Sequence, residues 1–235
     1  MVEIFQNIRK IYTFQQPSEE LSNHIEFFSE SSLEATKQHI SGKSFSVKMF
    51  ASWTPTFYIN LGSPYEIQVG SKHHLIAAGE DILILRNSIV ERYNTPTDNI
   101  FTVKFYPGSL EALLAIKQPK LADQVISLKN VLPAMLLNQI KQPITFSERV
   151  ELMQGFFLAN YRKQSDYYLK FVKDAIDNFS ETGLQASNSF LAEKMFTTSK
   201  TINRYFNQVI GTSPKSYFSI MRTRTALASY VNNKP

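Results

Sequence analysis

The 235-residue sequence predicts an α+β chain: an N-terminal β-barrel or sandwich, a helical connector and a C-terminal all-α segment. Three observations carry this. Up to about residue 120, apolar and polar residues alternate in short runs separated by turn residues. After Pro107-Gly108 the apolar spacing becomes that of helices. Positive charge is gathered at the C-terminal end: residues 182–235 carry seven Lys or Arg and one acid, a balance of +6 within a total of +5.

The elements follow in order. Phe45–Met49, Tyr65–Val69 and Phe101–Phe105 alternate with period two, as half-buried strands do. Ile82–Leu85 is continuously apolar, as in a strand covered on both faces. Ser41-Gly42-Lys43, Gly62-Ser63-Pro64, Gly70-Ser71, Gly79-Glu80-Asp81 and Pro96-Thr97-Asp98 supply the turns. Many short strands so spaced favour a small barrel or sandwich. Leu110, Leu113 and Leu114 then open a helix, Leu132–Leu137 a second and Phe146–Tyr161 a third. The third carries Val150, Met153, Phe157, Leu158 and Tyr161 on one stripe, which could pack on the chain's own β-domain or pair with a second copy in a homodimer. Arg162–Asp166 is the linker candidate. From Tyr167 the pattern is helical, with Tyr168, Val172, Ala175, Ile176 and Phe179 on one face and Gly183 closing the helix. The expected domains are 1–120, β-rich and sensing; 121–165, connector; and 166–235, a helix-turn-helix segment.

Composition excludes several functions. Without cysteine the chain has no disulfide, thiolate metal site, iron–sulfur cluster or cysteine nucleophile. No G-x-S-x-G elbow, phosphate-binding glycine loop or H-E-x-x-H is present, and nothing calls for a cofactor. The N-terminus lacks a signal-peptide pattern, and no apolar run is long enough to span a bilayer, so a cytoplasmic protein without a membrane partner is expected.

The segment that carries chemistry is 190–210. Phe190–Met195 reads as a short helix with Leu191, Ala192 and Met195 inward. Thr198 or Ser199 can cap the next helix. In that helix Ile202, Phe206 and Val209 share one face, and Lys200, Asn203, Arg204 and Asn207 share the opposite one. No acid occurs from Ser199 to Pro235. Lys, Asn and Arg on one exposed face supply donors for phosphates and major-groove base edges, so double-stranded DNA is the expected partner. An ordinary amphipathic hairpin with a solvated polar face gives the same periodicity.

The residues Leu191-Ala192, Ser199, Ile202, Arg204, Phe206, Gly211, Ser213-Pro214, Tyr217, Arg222 and Ala226 stand at spacings that resemble the first helix-turn-helix of AraC/XylS transcription regulators. The resemblance implies that Lys200, Asn203 and Arg204 meet bases and phosphates, with Ser213 and Lys215 at the backbone. The family has glycine in the turn where this chain has Phe196, so that turn must use other dihedrals or be strained. Ile59–Tyr65 and Phe105–Leu110 resemble the cupin-like sensing domains of such regulators, implying a small-molecule effector. The family's domain has two helix-turn-helix units joined by one long helix. The stretch from Pro214 matches that helix, and the expectation is that residues 166–235 hold the first unit alone.

Two further sets of residues were candidates. Trp53, Phe57, Tyr58 and Tyr65 could line an effector pocket or serve as core. His73 and His74 are adjacent, so a strand sends them to opposite faces, unlike the i, i+2 pair of a cupin metal site. The alternatives to a DNA-binding regulator are a sensor or interaction module that binds little DNA, and a cupin-type metalloenzyme.

Overall fold

The computed structural model describes residues 10–40, 43–161 and 167–232. Ser41-Gly42, the linker candidate 162–166 and residues 233–235 lie outside them.

Among the described residues ten strands form two antiparallel sheets that pack as a sandwich. The larger runs β1 (Tyr12–Gln15), β2 (Ile25–Ser31), β9 (Ile100–Phe105), β4 (Pro55–Asn60), β7 (Ile82–Leu85) and β10 (Val125–Ser127). The smaller runs β3 (Phe45–Met49), β8 (Val90–Asn94), β5 (Tyr65–Val69) and β6 (Lys72–Ile76). Among the described residues four α-helices accompany the sheets: α1 (Leu33–Ile40), α2 (Ser109–Leu114), α3 (Ala134–Ile140) and α4 (Phe146–Asn160).

Strand periodicity divides the larger sheet into two buried faces. Phe57, Ile59, Leu83, Leu85, Phe101, Val103 and Phe105 join Leu110, Leu137, Val150, Met153 and Phe157 in a core beneath the helices. Their neighbours Tyr58, Ile82, Ile84 and Ile100 face the smaller sheet, where Val47, Met49, Tyr65, Ile67, Val69 and Val90 meet them. The smaller sheet keeps one wet face, so β3 and β5 alternate between buried and exposed or partly exposed positions.

One expectation is corrected here. Thr102 and Lys104 in β9 are as buried as their apolar neighbours, because both faces of that strand are covered. Lys104 meets the Glu26 carboxylate at 3.1 Å. Of the two readings of the α4 stripe, packing on the chain's own sheet accounts for Val150, Met153 and Phe157, which are fully buried there, while Leu158 stays exposed. A capping box holds the start of α4, with the Glu148 N–H donating to Thr145 Oγ1 and the Thr145 N–H to Glu148 Oε2.

Four further α-helices follow among the described residues: α5 (Tyr167–Glu181), α6 (Asn188–Lys194), α7 (Ser199–Val209) and α8 (Pro214–Asn232). Their core joins Leu169, Val172, Ala175, Phe179, Leu191, Ile202, Phe206, Val209 and Phe218. On α5 the buried stripe runs through Leu169, one residue beyond the expected Tyr168, which is exposed. Among the described residues no helix is long and apolar enough to cross a membrane.

Candidate nucleic-acid interface

Local capping sets the ends of α6, α7 and α8. Ser187 caps α6 by accepting from the Phe190 N–H at 3.1 Å, which starts that helix earlier than expected. Ser187-Asn188-Ser189 was the sequence signal for this start. Thr198 caps α7 by accepting from the Thr201 N–H at 3.1 Å. Ser213 accepts from the Ser216 N–H at 3.2 Å ahead of Pro214, the first residue of α8.

Helix α7 is divided as its sequence demands. Ile202, Tyr205, Phe206 and Val209 are buried, while Lys200, Asn203, Arg204 and Asn207 are exposed. Lys215 is exposed and Ser213 half-buried at the start of α8. Asn207 Nδ2 donates to the Asn203 carbonyl at 2.8 Å and to Asn203 Oδ1 at 3.2 Å. The Arg204 guanidinium lies over the Tyr205 ring, 4.9 Å from its centroid. Tyr205 in turn packs edge-on against Tyr168 and Phe171, at 4.8 and 5.0 Å. Several cations of the basic segment are committed elsewhere, among them Arg222, which donates to the Leu184 carbonyl at 3.3 Å. Arg224 is buried and donates to the Phe50 carbonyl at 3.4 Å, and Lys194 pairs with Glu181 at 3.0 Å.

The turn between α6 and α7 takes the strained alternative. Phe196 has φ +51 and is 97% exposed. The Thr197 N–H donates to the Ala192 carbonyl at 2.8 Å and the Phe196 N–H to the Glu193 carbonyl at 3.0 Å. This pair of bonds is the Schellman motif, whose left-handed residue is usually glycine. The end of α5 uses the same motif with Gly183 at φ +63, the Leu184 N–H reaching the Phe179 carbonyl at 3.2 Å. A residue with a Cβ loses about 1–2 kcal/mol in this conformation.

Tertiary contacts absent from the sequence reading fix α7 against the sandwich. Gln118, 1% exposed, accepts from the Gly108 N–H at 2.6 Å. Its amide donates to the Trp53 carbonyl at 3.2 Å and to the Ile210 carbonyl, just past α7, at 2.9 Å. A Cβ on Gly108, which has φ +78, would stand 2.6 Å from Val209 Cγ1 and 2.8 Å from Leu169 Cδ1. One on Gly211 would meet Pro119 Cα at 3.2 Å. These two glycines beside helix ends were the visible signal; Gln118 left none.

The four aromatic candidates do not share a pocket. Phe57 faces the helices, with its ring 4.8 Å from that of Phe105. Tyr58 and Tyr65 lie between the sheets, where the Arg92 guanidinium carbon stands 5.6 and 5.9 Å from their ring centroids. Trp53 packs between the sandwich core and the helical core. Of the four, only Tyr58 borders the inter-sheet cavity, whose 40 Å³ is room for little more than water. A wider cleft of about 190 Å³ opens where Lys104 and Tyr106 of the sandwich face Ile176, Tyr217, Met221 and Arg224 of the helical segment. Beside it, burial pushes Lys173 down to about 8, and its ammonium donates to the Asn23 carbonyl. His73 lies 6.3 Å from the Tyr93 ring, and Glu80 closes a turn by accepting from the Ala77 N–H at 3.1 Å.

No family model and no curated protein matches this chain. Among solved structures it is similar to the AraC-like transcriptional activator CuxR, at 10% identity over 96% of this chain and 92% of that one, with a TM-score of 0.37. It is also similar to ToxT from Vibrio cholerae, at 9% identity over 82% of this chain and 85% of that one, with a TM-score of 0.43. Over 41% of this chain and 96% of the other it is similar to a cupin domain of an XRE-family transcriptional regulator from Enterobacter cloacae, at 8% identity and a TM-score of 0.31. Similarity at these levels assigns no activity.

Proposed function

We propose that this chain is a non-enzymatic transcription regulator of the AraC/XylS type that binds double-stranded DNA through α7 and the start of α8. The observation that carries this reading is the division of α7: four exposed donors, Lys200, Asn203, Arg204 and Asn207, stand opposite a buried apolar face, with no acid from Ser199 onward. Arg204 and Asn203 read base edges, while Lys200, Ser213 and Lys215 hold phosphates. Residues 1–120 act as the sensing unit, 121–165 as connector and 166–235 as the DNA-binding segment, in a cytoplasmic protein. A small-molecule effector would not fit the 40 Å³ between the sheets; the cleft between sandwich and helices is the roomier place for one.

The test is salt-dependent binding of labelled duplex DNA. Selection from a random-sequence pool gives the preferred site. Arg204→Ala should then cost about 1–3 kcal/mol on that site and relax base preference. Lys215→Ala should weaken all sequences alike and reduce the salt slope by about 0.9. Unchanged affinity in Arg204→Ala would mean that α7 is not the reading helix.

A further inference from the structure

Phe196 sets a puzzle. Its backbone sits in the left-handed region, which strains a residue with a Cβ and which Trp53, Ala115, Asp123 and Leu184 also occupy. Its ring, 97% exposed, recovers nothing from packing within the chain. Folding alone favours glycine here, and the matching turn after α5 has one, Gly183. Both the strain and the exposure become intelligible if the ring contacts something outside the chain.

The position says what. Phe196 lies two residues before Thr198, the cap of α7, and so at the N-terminal tip of that helix. A reading helix enters the major groove with its N-terminal residues at the base edges. Beside the tip Lys200 is exposed in the first turn of α7, Glu193 is exposed on α6, and no acid occurs from Ser199 onward. With the helix read as above, the partner at this tip is duplex DNA. Duplex DNA has an apolar feature in its major groove, the C5-methyl group of thymine, and aromatic rings pack on it.

We infer that Phe196 is a DNA-contacting residue whose ring packs on a thymine methyl group at the edge of the major groove. This rests on α7 being the reading helix, and it assigns to the tip an apolar, base-selective contact that the cationic and amide side chains do not supply.

The experiment uses the full chain and duplexes carrying its selected site, made with thymine or with deoxyuridine, which lacks the methyl group. Phe196→Gly relieves the backbone, so its Tm should equal that of the parent or exceed it by about 2–4 °C. Its affinity for the thymine duplex should nevertheless fall about ten-fold, with the salt slope unchanged because no charge is removed. Replacing thymine by deoxyuridine should weaken the parent about ten-fold and leave Phe196→Gly unaffected. Met135→Ala, which removes another exposed apolar side chain on α3, serves as control and should change neither affinity. Equal affinity of Phe196→Gly and parent for the thymine duplex overturns the inference, as does an equal loss on both duplexes. Failure of the parent to bind any duplex would remove the proposed function as well, whereas those two outcomes remove this contact alone.

Discussion

Replacing Gln118 by methionine tests how α7 is held. The side chains have similar volume, so packing is kept while three polar contacts are lost. The Gly108 N–H and the Trp53 and Ile210 carbonyls, at 2.6, 3.2 and 2.9 Å from the amide, would each lose a partner at a site only 1% exposed. An orphaned buried group costs about 1–3 kcal/mol, and some of it relaxes, so the expected loss is about 3–5 kcal/mol. The sole tryptophan, Trp53, is the natural reporter, since it packs against both cores and its carbonyl is one of the three partners. Urea unfolding should be followed by Trp53 emission and by far-ultraviolet circular dichroism. In the parent the two transitions should coincide. In Gln118→Met the emission change should come at lower urea, because the helical segment leaves the sandwich before the strands unfold. A loss below about 0.5 kcal/mol, the size of an ordinary surface change, would refute the idea that this amide joins the two parts.

Two further outcomes follow from the same contacts. Gly108→Ala puts a methyl group 2.6 Å from Val209 Cγ1 at φ +78, and should cost about 2–4 kcal/mol in urea unfolding while weakening DNA binding through a displaced α7. His24 is pushed down to about 4 by burial and, secondarily, by the Lys173 charge, while its Nε2 lies 3.2 Å from the Tyr161 hydroxyl. Because the folded value lies below the unfolded one, its contribution is intact above pH 6.5 and is lost as pH falls toward 4. The fall in Tm between pH 7 and pH 4.5 should be smaller in His24→Phe than in the parent; equal falls would mean that His24 does not carry acid sensitivity.

Local chemistry determined much of this protein directly from its sequence. The 3.6-residue period of 199–209 set which side chains of α7 are exposed, and hydroxyls at Thr198 and Ser213 set where α7 and α8 begin. Alternation located β3 and β5, and an unbroken apolar run located the doubly covered β7. These features depend on neighbours within a few residues, so the sequence displays them. Alternation in β9, by contrast, could not say what covered each face, and Thr102 and Lys104 read as solvent-facing when both are buried. Nor could it tell that Phe57 and Tyr58 serve different cores, that α4 turns its stripe onto its own sheet, or that Arg224 is withdrawn from the basic surface to Phe50. Phe196 adopts a left-handed dihedral that usually takes glycine, and Gln118 bonds to residues 10, 65 and 92 positions away. Periodicity encodes which face of an element is apolar. The partner that covers the face, and the polar groups sealed in when it does, are decided by contacts between residues far apart in the chain.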